Sequence, residues 1–248
     1  MRGKLEGVHW AAGAFRAENS NDILFVASPQ TGSGYFQNFG KTRREGVQTS
    51  IDGRIRRVSG GLDYTFLAAT YQSTETVDGS ANNSSDTALG GMPGLDGIIT
   101  IHPGNRIPLI PKQTGKIFAD VQVTSKLVFN IGVVAVSSSY ARGNENNAYR
   151  SDGKYYLGPG VSGGYAVANF SARYNLNRRL QLAAQIDNVL DRRYWTAAQL
   201  GKTGFTAQGT FIARPFPAYS DGEYPLQSVT FAAPGAPRRA WVELLLKF

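Results

Sequence analysis

The sequence contains no cysteine, so neither a disulfide framework nor a thiolate metal site is open to it. Histidine is almost missing as well. His9 and His102 are isolated from one another, which argues against an imidazole metal site and leaves each as a surface or rim residue. Nowhere do eighteen apolar residues follow one another, which excludes a helical membrane span. A membrane barrel escapes that test, because its apolar residues alternate with polar ones. The residues after Met1, Arg2-Gly3-Lys4-Leu5-Glu6-Gly7, lack the apolar stretch of a secretory signal. Compact basic patches are lacking too. Lys and Arg exceed Asp and Glu by 26 to 18, yet they are scattered in ones and twos, as in Arg43-Arg44 and Arg178-Arg179. Such spacing excludes nucleic acid as the expected partner.

Glycine and aromatic side chains are plentiful: 29 Gly, 13 Phe and 12 Tyr. That usage suits many strands joined by turns, with aromatics left over for interfaces. The clearest strand is the last one, Pro237 to Phe248. Ala240, Val242, Leu244, Leu246 and Phe248 share one face, whereas Arg239, Trp241, Glu243, Leu245 and Lys247 share the other, because successive side chains point to opposite sides. One face is wholly apolar and the other mixed. About ten residues is the length of one tilted bilayer crossing, and outer-membrane barrel strands alternate in this way. An edge strand of a soluble sandwich is the competing reading of this stretch.

The same alternation predicts nine strands, at 5–17, 22–28, 43–57, 62–76, 115–124, 127–141, 163–175, 179–190 and 237–248. Short turns are expected at 18–21, at Ser59-Gly60-Gly61, at 125–126 and at 175–178. Long connections rich in Gly, Ser, Asn and Pro fall at 29–42, 77–114, 142–162 and 191–236. Loops of that length are uncommon in compact domains unless they serve a function. Short turns at one end and long loops at the other mark an outer-membrane barrel. The fold class expected is therefore all-β, an antiparallel transmembrane barrel portion with short periplasmic turns and long extracellular loops. An odd count of strands cannot close as an up-and-down barrel with both ends in the periplasm, so a curved sheet with two unpaired edges is expected of these residues alone.

Catalytic and nucleotide motifs do not converge. Gly158 to Gly163 satisfies G-x-G-x-x-G, but a strand follows it rather than a helix. Gly40-Lys41-Thr42 and Gly201-Lys202-Thr203 lack the first Gly of a phosphate loop. Glu75, Asp86 and Asp96 lack the spacing of a calcium loop, and nothing local supports a Ser-His-Asp set around His9. The chain is read as a non-enzyme without cofactor or metal.

The candidate binding surface lies in the long loops. Arg142, Tyr149, Arg150, Tyr155 and Tyr156 occupy one of them. Arg192, Arg193, Trp195, Phe205, Phe211, Arg214, Phe216, Tyr219 and Tyr224 occupy the last. Arginine beside aromatics suits an anionic, partly aromatic small ligand such as a metal chelate, through charge pairing and stacking. Alternatively, these aromatics pack the loops together or sit in an interfacial girdle.

Several stretches resemble the C-terminal part of the TonB-dependent outer-membrane receptors. Leu5-Glu6-Gly7-Val8-His9-Trp10 with Ala14-Phe15-Arg16 and Asp22-Ile23-Leu24 looks like the family's strand–turn–strand segment. Tyr35 to Gly40 followed by Arg44-Glu45-Gly46-Val47-Gln48 resembles another of its signatures, with Gln48 standing where the pattern has an acid. The most specific stretches are Asp187-Asn188-Val189-Leu190-Asp191-Arg192-Arg193-Tyr194 and Pro234-Gly235-Ala236-Pro237-Arg238, ending in Phe248. The resemblance implies a 22-stranded barrel in lipid whose lumen is closed by a separate plug, and residues 1–248 as the C-terminal portion of that barrel. It also implies uptake of a scarce nutrient such as a ferric siderophore, energised by the TonB complex through the plug. The missing plug and signal are then expected to lie outside these residues. A passive porin-like channel and a soluble β-sandwich binding module are the rival functions.

Overall fold

A computed structural model describes residues 1–28, 34–85, 93, 97–214 and 225–246. In chain order the strands are β1 (Arg2–Leu5), β2 (Val8–Val26), β3 (Tyr35–Ile55), β4 (Val58–Tyr71), β5 (Glu75–Asp78), β6 (Ile98–Ile101), β7 (Gln113–Gln122) and β8 (Leu127–Val136). They continue with β9 (Ser139–Tyr140), β10 (Tyr156–Leu157), β11 (Val161–Ser162), β12 (Tyr165–Asn175), β13 (Leu180–Asp187), β14 (Trp195–Thr206), β15 (Leu226–Pro234) and β16 (Arg239–Leu246). No helix occurs among the described residues.

Nine of these strands form one antiparallel sheet in the order β1-β2-β3-β4-β7-β8-β12-β13-β16. Its ends, β1 and β16, each pair on one side only among the described residues. The register aligns like with like across the sheet. One transverse row runs Ile55, Val58, Val121, Phe129, Ala172, Ala184, Val242. The row on the opposite face runs Arg54, Ser59, Asp120, Asn130, Ser171, Gln185, Trp241. On that polar face Asn130 donates to the Asp120 carboxylate at 3.1 Å. Among the described residues no second layer covers the apolar face, where Ile51, Leu62, Ile117, Ile131 and Leu244 are all exposed. In water such a surface drives aggregation; in hydrocarbon it is solvated.

The segregation of connections holds, but several boundaries move. The predicted turn at 18–21 lies inside the single long strand β2, and the first turn is Glu6-Gly7, with both residues at positive φ. Turn-forming composition there is overridden by the ladder to β3, where Glu18 pairs with Lys41 at 2.7 Å and Arg43 at 2.9 Å. Ser59-Gly60-Gly61 is likewise strand, and the turn is Arg56-Arg57, with Arg56 at φ 54°. Gly61 is there for close approach, since a Cβ would lie 2.8 Å from the Ile51 carbonyl oxygen and the Phe118 ring. The connection expected at 29–42 is shorter, because β3 already begins at Tyr35.

At 19 and 21 residues, β2 and β3 exceed the roughly 9–11 residues of a tilted crossing, so they continue past the apolar band. Asn21, at φ 54°, marks a switch in sidedness. Beyond it Asp22 accepts from Thr42 and Arg44 of the polar face, and Phe39 is fully buried against Tyr71. The compact apolar cores sit at this long-loop end rather than behind the sheet. One core joins Val26, Phe39 and Tyr71 to Val77, Ile99 and Ile101 of the β5–β6 hairpin. The other joins Ala81, Ala141, Tyr149, Tyr156, Ala198 and Leu200.

Candidate functional site at the long-loop end

Three long connections fold onto one another at this end. The segment after β8 is held by an asparagine-rich stretch, Gly143 to Asn147. Asn144 donates to the Gly160 carbonyl at 3.0 Å and accepts from the Tyr149 N–H, closing its own loop. Asn147 exchanges hydrogen bonds with the backbone of Arg106 in the preceding loop. Asn82 donates to the Gly143 carbonyl. Short polar side chains substitute here for a backbone ladder, as Asn does when local geometry lets it cap peptide groups. In the sequence Gly143-Asn144-Glu145-Asn146 fits the resemblance only as a loop stretch, and its run of Asn between strands is the signal of the organising role.

The last connection is a hairpin of β14 and β15, joined by β10 into a three-stranded sheet. It is tied to the neighbouring loop by reciprocal backbone bonds between Arg142 and Ala198 and Leu200. At its base Asn188, 2 % exposed and at φ 49°, accepts from the Arg192 N–H and donates to the carbonyls of Arg192 and Ala236. Asp187 meets Arg239 at 2.7 Å. The motif at 187–194 and the motif at 234–238 are thus two sides of one structural clasp at the rim.

The predicted binding residues divide. Tyr149 and Tyr156 are 2 % and 1 % exposed and form the loop core with Ala198 and Leu200. For these two the packing alternative holds, because burying both rings is what holds the loops together. Arg142 is half-buried with its guanidinium 4.5 Å over the Phe25 ring, so its aromatic partner is internal. Tyr155 is half-buried beneath the Lys154 ammonium. Arg150, Arg192, Arg193, Trp195, Phe211 and Arg214 lie exposed. They do not converge on one point: Arg192 and Arg193 flank the rim clasp, whereas Phe211 meets Phe205 edge to face at 5.6 Å toward the hairpin tip. Phe216, Tyr219 and Tyr224 lie outside the described residues.

One buried acid stands out. Glu145 accepts from the Gly143 N–H through Oε1, while Oε2 has no partner among the described residues. Burial pushes its carboxyl up to about 7, with Asp78 acting in the same direction and the Gly143 N–H and Arg142 opposing. An unfolded glutamate ionises near 4. Between those values the opened loop is ionised while the packed loop keeps its proton, so packing weakens as pH rises through that window and is level above it. The whole shift corresponds to on the order of 3 kcal/mol. Glu145→Gln is therefore expected to flatten the pH profile of hydrogen exchange across 137–164. Matching profiles for the variant and wild type would refute the assignment.

The sheet, its uncovered apolar face and the segregated loops set the frame for comparison. A family model described as "TonB dependent receptor-like, beta-barrel" matches residues 3–189. The chain belongs to the TonB-dependent receptors. It is 25 % identical over 201 residues to a probable TonB-dependent siderophore receptor, PiuA, of Acinetobacter baumannii, covering 80 % of this chain and 23 % of that protein. It is 26 % identical over 197 residues to the catecholate siderophore receptor Fiu of Escherichia coli, covering 78 % and 21 %. The chain thus spans less than a quarter of these relatives' length. The ferric yersiniabactin uptake receptor FyuA of Yersinia pestis has the same fold at a TM-score of 0.60 and 17 % identity, over 100 % of this chain and 28 % of that one. The crystal structure of PiuA matches at a TM-score of 0.56 and 19 % identity, over 96 % and 26 %. The resemblance read from the motifs is a family membership, and the all-β antiparallel reading of the fold holds with it.

Proposed function

We propose that these nine strands are wall segments of a closed barrel in the outer membrane of a Gram-negative bacterium, and that the barrel takes up a metal chelate such as a ferric siderophore. The observation that carries this reading is the pair of faces: apolar rows outside, such as Ile51, Leu62, Ile117, Val133 and Ala168, and mainly polar rows inside across the central strands. Lipid tolerates backbone polar groups only when every one is paired, so the two free edges call for further strands to complete the wall. Transport is energised by the TonB complex acting through a plug inside the lumen. The likeness to PiuA and Fiu, both siderophore receptors, supports a siderophore as cargo. Of the loop residues, the exposed Arg150, Arg192, Arg193, Trp195, Phe211 and Arg214, with half-buried Tyr155, are those available for cargo. Cations would pair with the chelate's anionic oxygens, and the rings would stack on its aromatic parts.

The test is uptake of radiolabelled ferric catecholate in cells whose own siderophore receptors are deleted and which carry the full receptor containing this chain. Uptake that stops when the inner-membrane energy complex is removed is the expected result. Uptake that persists without that complex would identify a passive channel instead.

A further inference from the structure

We propose that the turn end of the sheet carries a docking site for an anionic glycerophospholipid, with an acyl chain in a groove on the outer wall and the phosphate on Arg56 and Arg57. The proposal rests on the membrane-barrel reading and adds a specific lipid partner to it.

The groove follows from the register. Gly53 and Gly60 are direct cross-strand partners, and Val8 pairs with Gly53 from the other side. All three belong to the outward apolar face. A Cβ would lie 3.2 Å from Val8 at Gly53 and 2.7 Å from the Phe118 carbonyl oxygen at Gly60. With glycine at both positions the neighbours close in and the surface stays low, a shallow dip between the Ile51–Leu62 pair and the Ile55–Val58 pair. The dip opens into a notch of about 690 Å³ lined by Val8, Gly53, Ile55, Val58 and Gly60, with Arg56 and Arg57 at its turn end. Small residues also meet on this face at Gly115, Ala135 and Ala166, but that row lies away from the short turns and has no arginine pair beside it.

The charge at the mouth is the second observation. Ion pairs among the described residues engage Arg16, Lys41, Arg43, Arg44 and Arg239, all away from the short turns, apart from the contact of His9 with Asp52. None involves a cation of the turns. Arg57 has only the Val123 carbonyl at 3.3 Å, and the Arg56 side chain has no hydrogen-bond partner among the described residues. The Arg56-Arg57 turn therefore presents two uncompensated guanidinium groups, at the depth where lipid phosphates lie, beside a recess for hydrocarbon. Arginine's planar fork matches phosphate oxygens, and a lipid is the ligand that supplies phosphate and hydrocarbon at once.

The experiment is native mass spectrometry of the full receptor containing this chain, released in detergent and offered phosphatidylglycerol or phosphatidylcholine with identical acyl chains. Preferential retention of phosphatidylglycerol is expected. Each arginine near a lipid surface contributes roughly fivefold, so R56Q/R57Q should reduce that retention about thirtyfold. Val58→Trp fills the notch while keeping both arginines, and should lower retention of both lipids severalfold. Heat-modifiable migration reports that each variant is still a closed barrel. Equal retention of the two lipids, or wild-type retention by either variant, would overturn the site while leaving the barrel intact. A wild-type receptor without a heat-modifiable form would overturn the barrel reading and this site together.

Discussion

Leu244→Arg is expected to block membrane assembly of the receptor, whereas Glu243→Gln should assemble like wild type. Leu244 lies on the outward face of β16, directly opposite Leu182 and 63 % exposed, with no protein layer above it. An arginine on the lipid face of a barrel costs about 2–4 kcal/mol at the midplane and less toward either interface. β16 pairs with β13 over eight residues, so a cost of this size falls directly on the pairing that forms this part of the wall. Glu243 is one residue away, on the opposite face of the sheet beside Ala183, the side the proposed barrel turns to its lumen, where loss of charge leaves a polar group in water. Heat-modifiable migration on a gel scores both variants. Equal assembly would overturn the assignment of faces.

The second large effect concerns the hairpin of β14 and β15. Replacing 196–233 by a short Gly-Ser linker is expected to leave the barrel folded and to abolish cargo binding. Closure entropy changes slowly with loop length, so the wall strands hardly sense the deletion. The structure adds a complication. Ala198 and Leu200 are part of the loop core with Tyr149 and Tyr156, so the full deletion also uncovers those rings. A smaller deletion of the tip, 207–224, keeps that core and removes Phe211 and Arg214. If cargo meets the tip, the smaller deletion should weaken binding about tenfold for each contact worth about 1.4 kcal/mol. Isothermal titration of the purified receptor with ferric catecholate distinguishes the cases. Unchanged affinity in both deletions would move the site off this hairpin.

Which parts of this were legible before any coordinates depended on how local the physics is. Period-two alternation is written residue by residue, so the faces of β3, β12 and β16 could be read directly, and the register then aligned them into continuous rows. Segregated loop lengths were equally legible, because chain length between alternating stretches needs no structure to count. Turn positions were not. Glu18-Asn19-Ser20-Asn21 has turn composition, yet it stays extended because Glu18 finds Lys41 and Arg43 across the sheet. Ser59-Gly60-Gly61 has it too, yet the glycines serve close approach to Phe118 and Ile51.

The candidate site shows the same division. Arg and aromatic side chains in the long loops could be named from the sequence, since composition alone flags them. Which of them face outward was decided only by how separate loops meet. Tyr149 and Tyr156 are buried because β10 pairs with β15 and Arg142 bonds to β14, contacts that join residues about 55 to 70 positions apart and leave no periodic trace. The Gly53–Gly60 dip and the unpaired charge of Arg56 have the same origin: each is a relation between two strands. Alternation along one strand settled what kind of surface this chain makes, and pairing between strands settled where that surface is open.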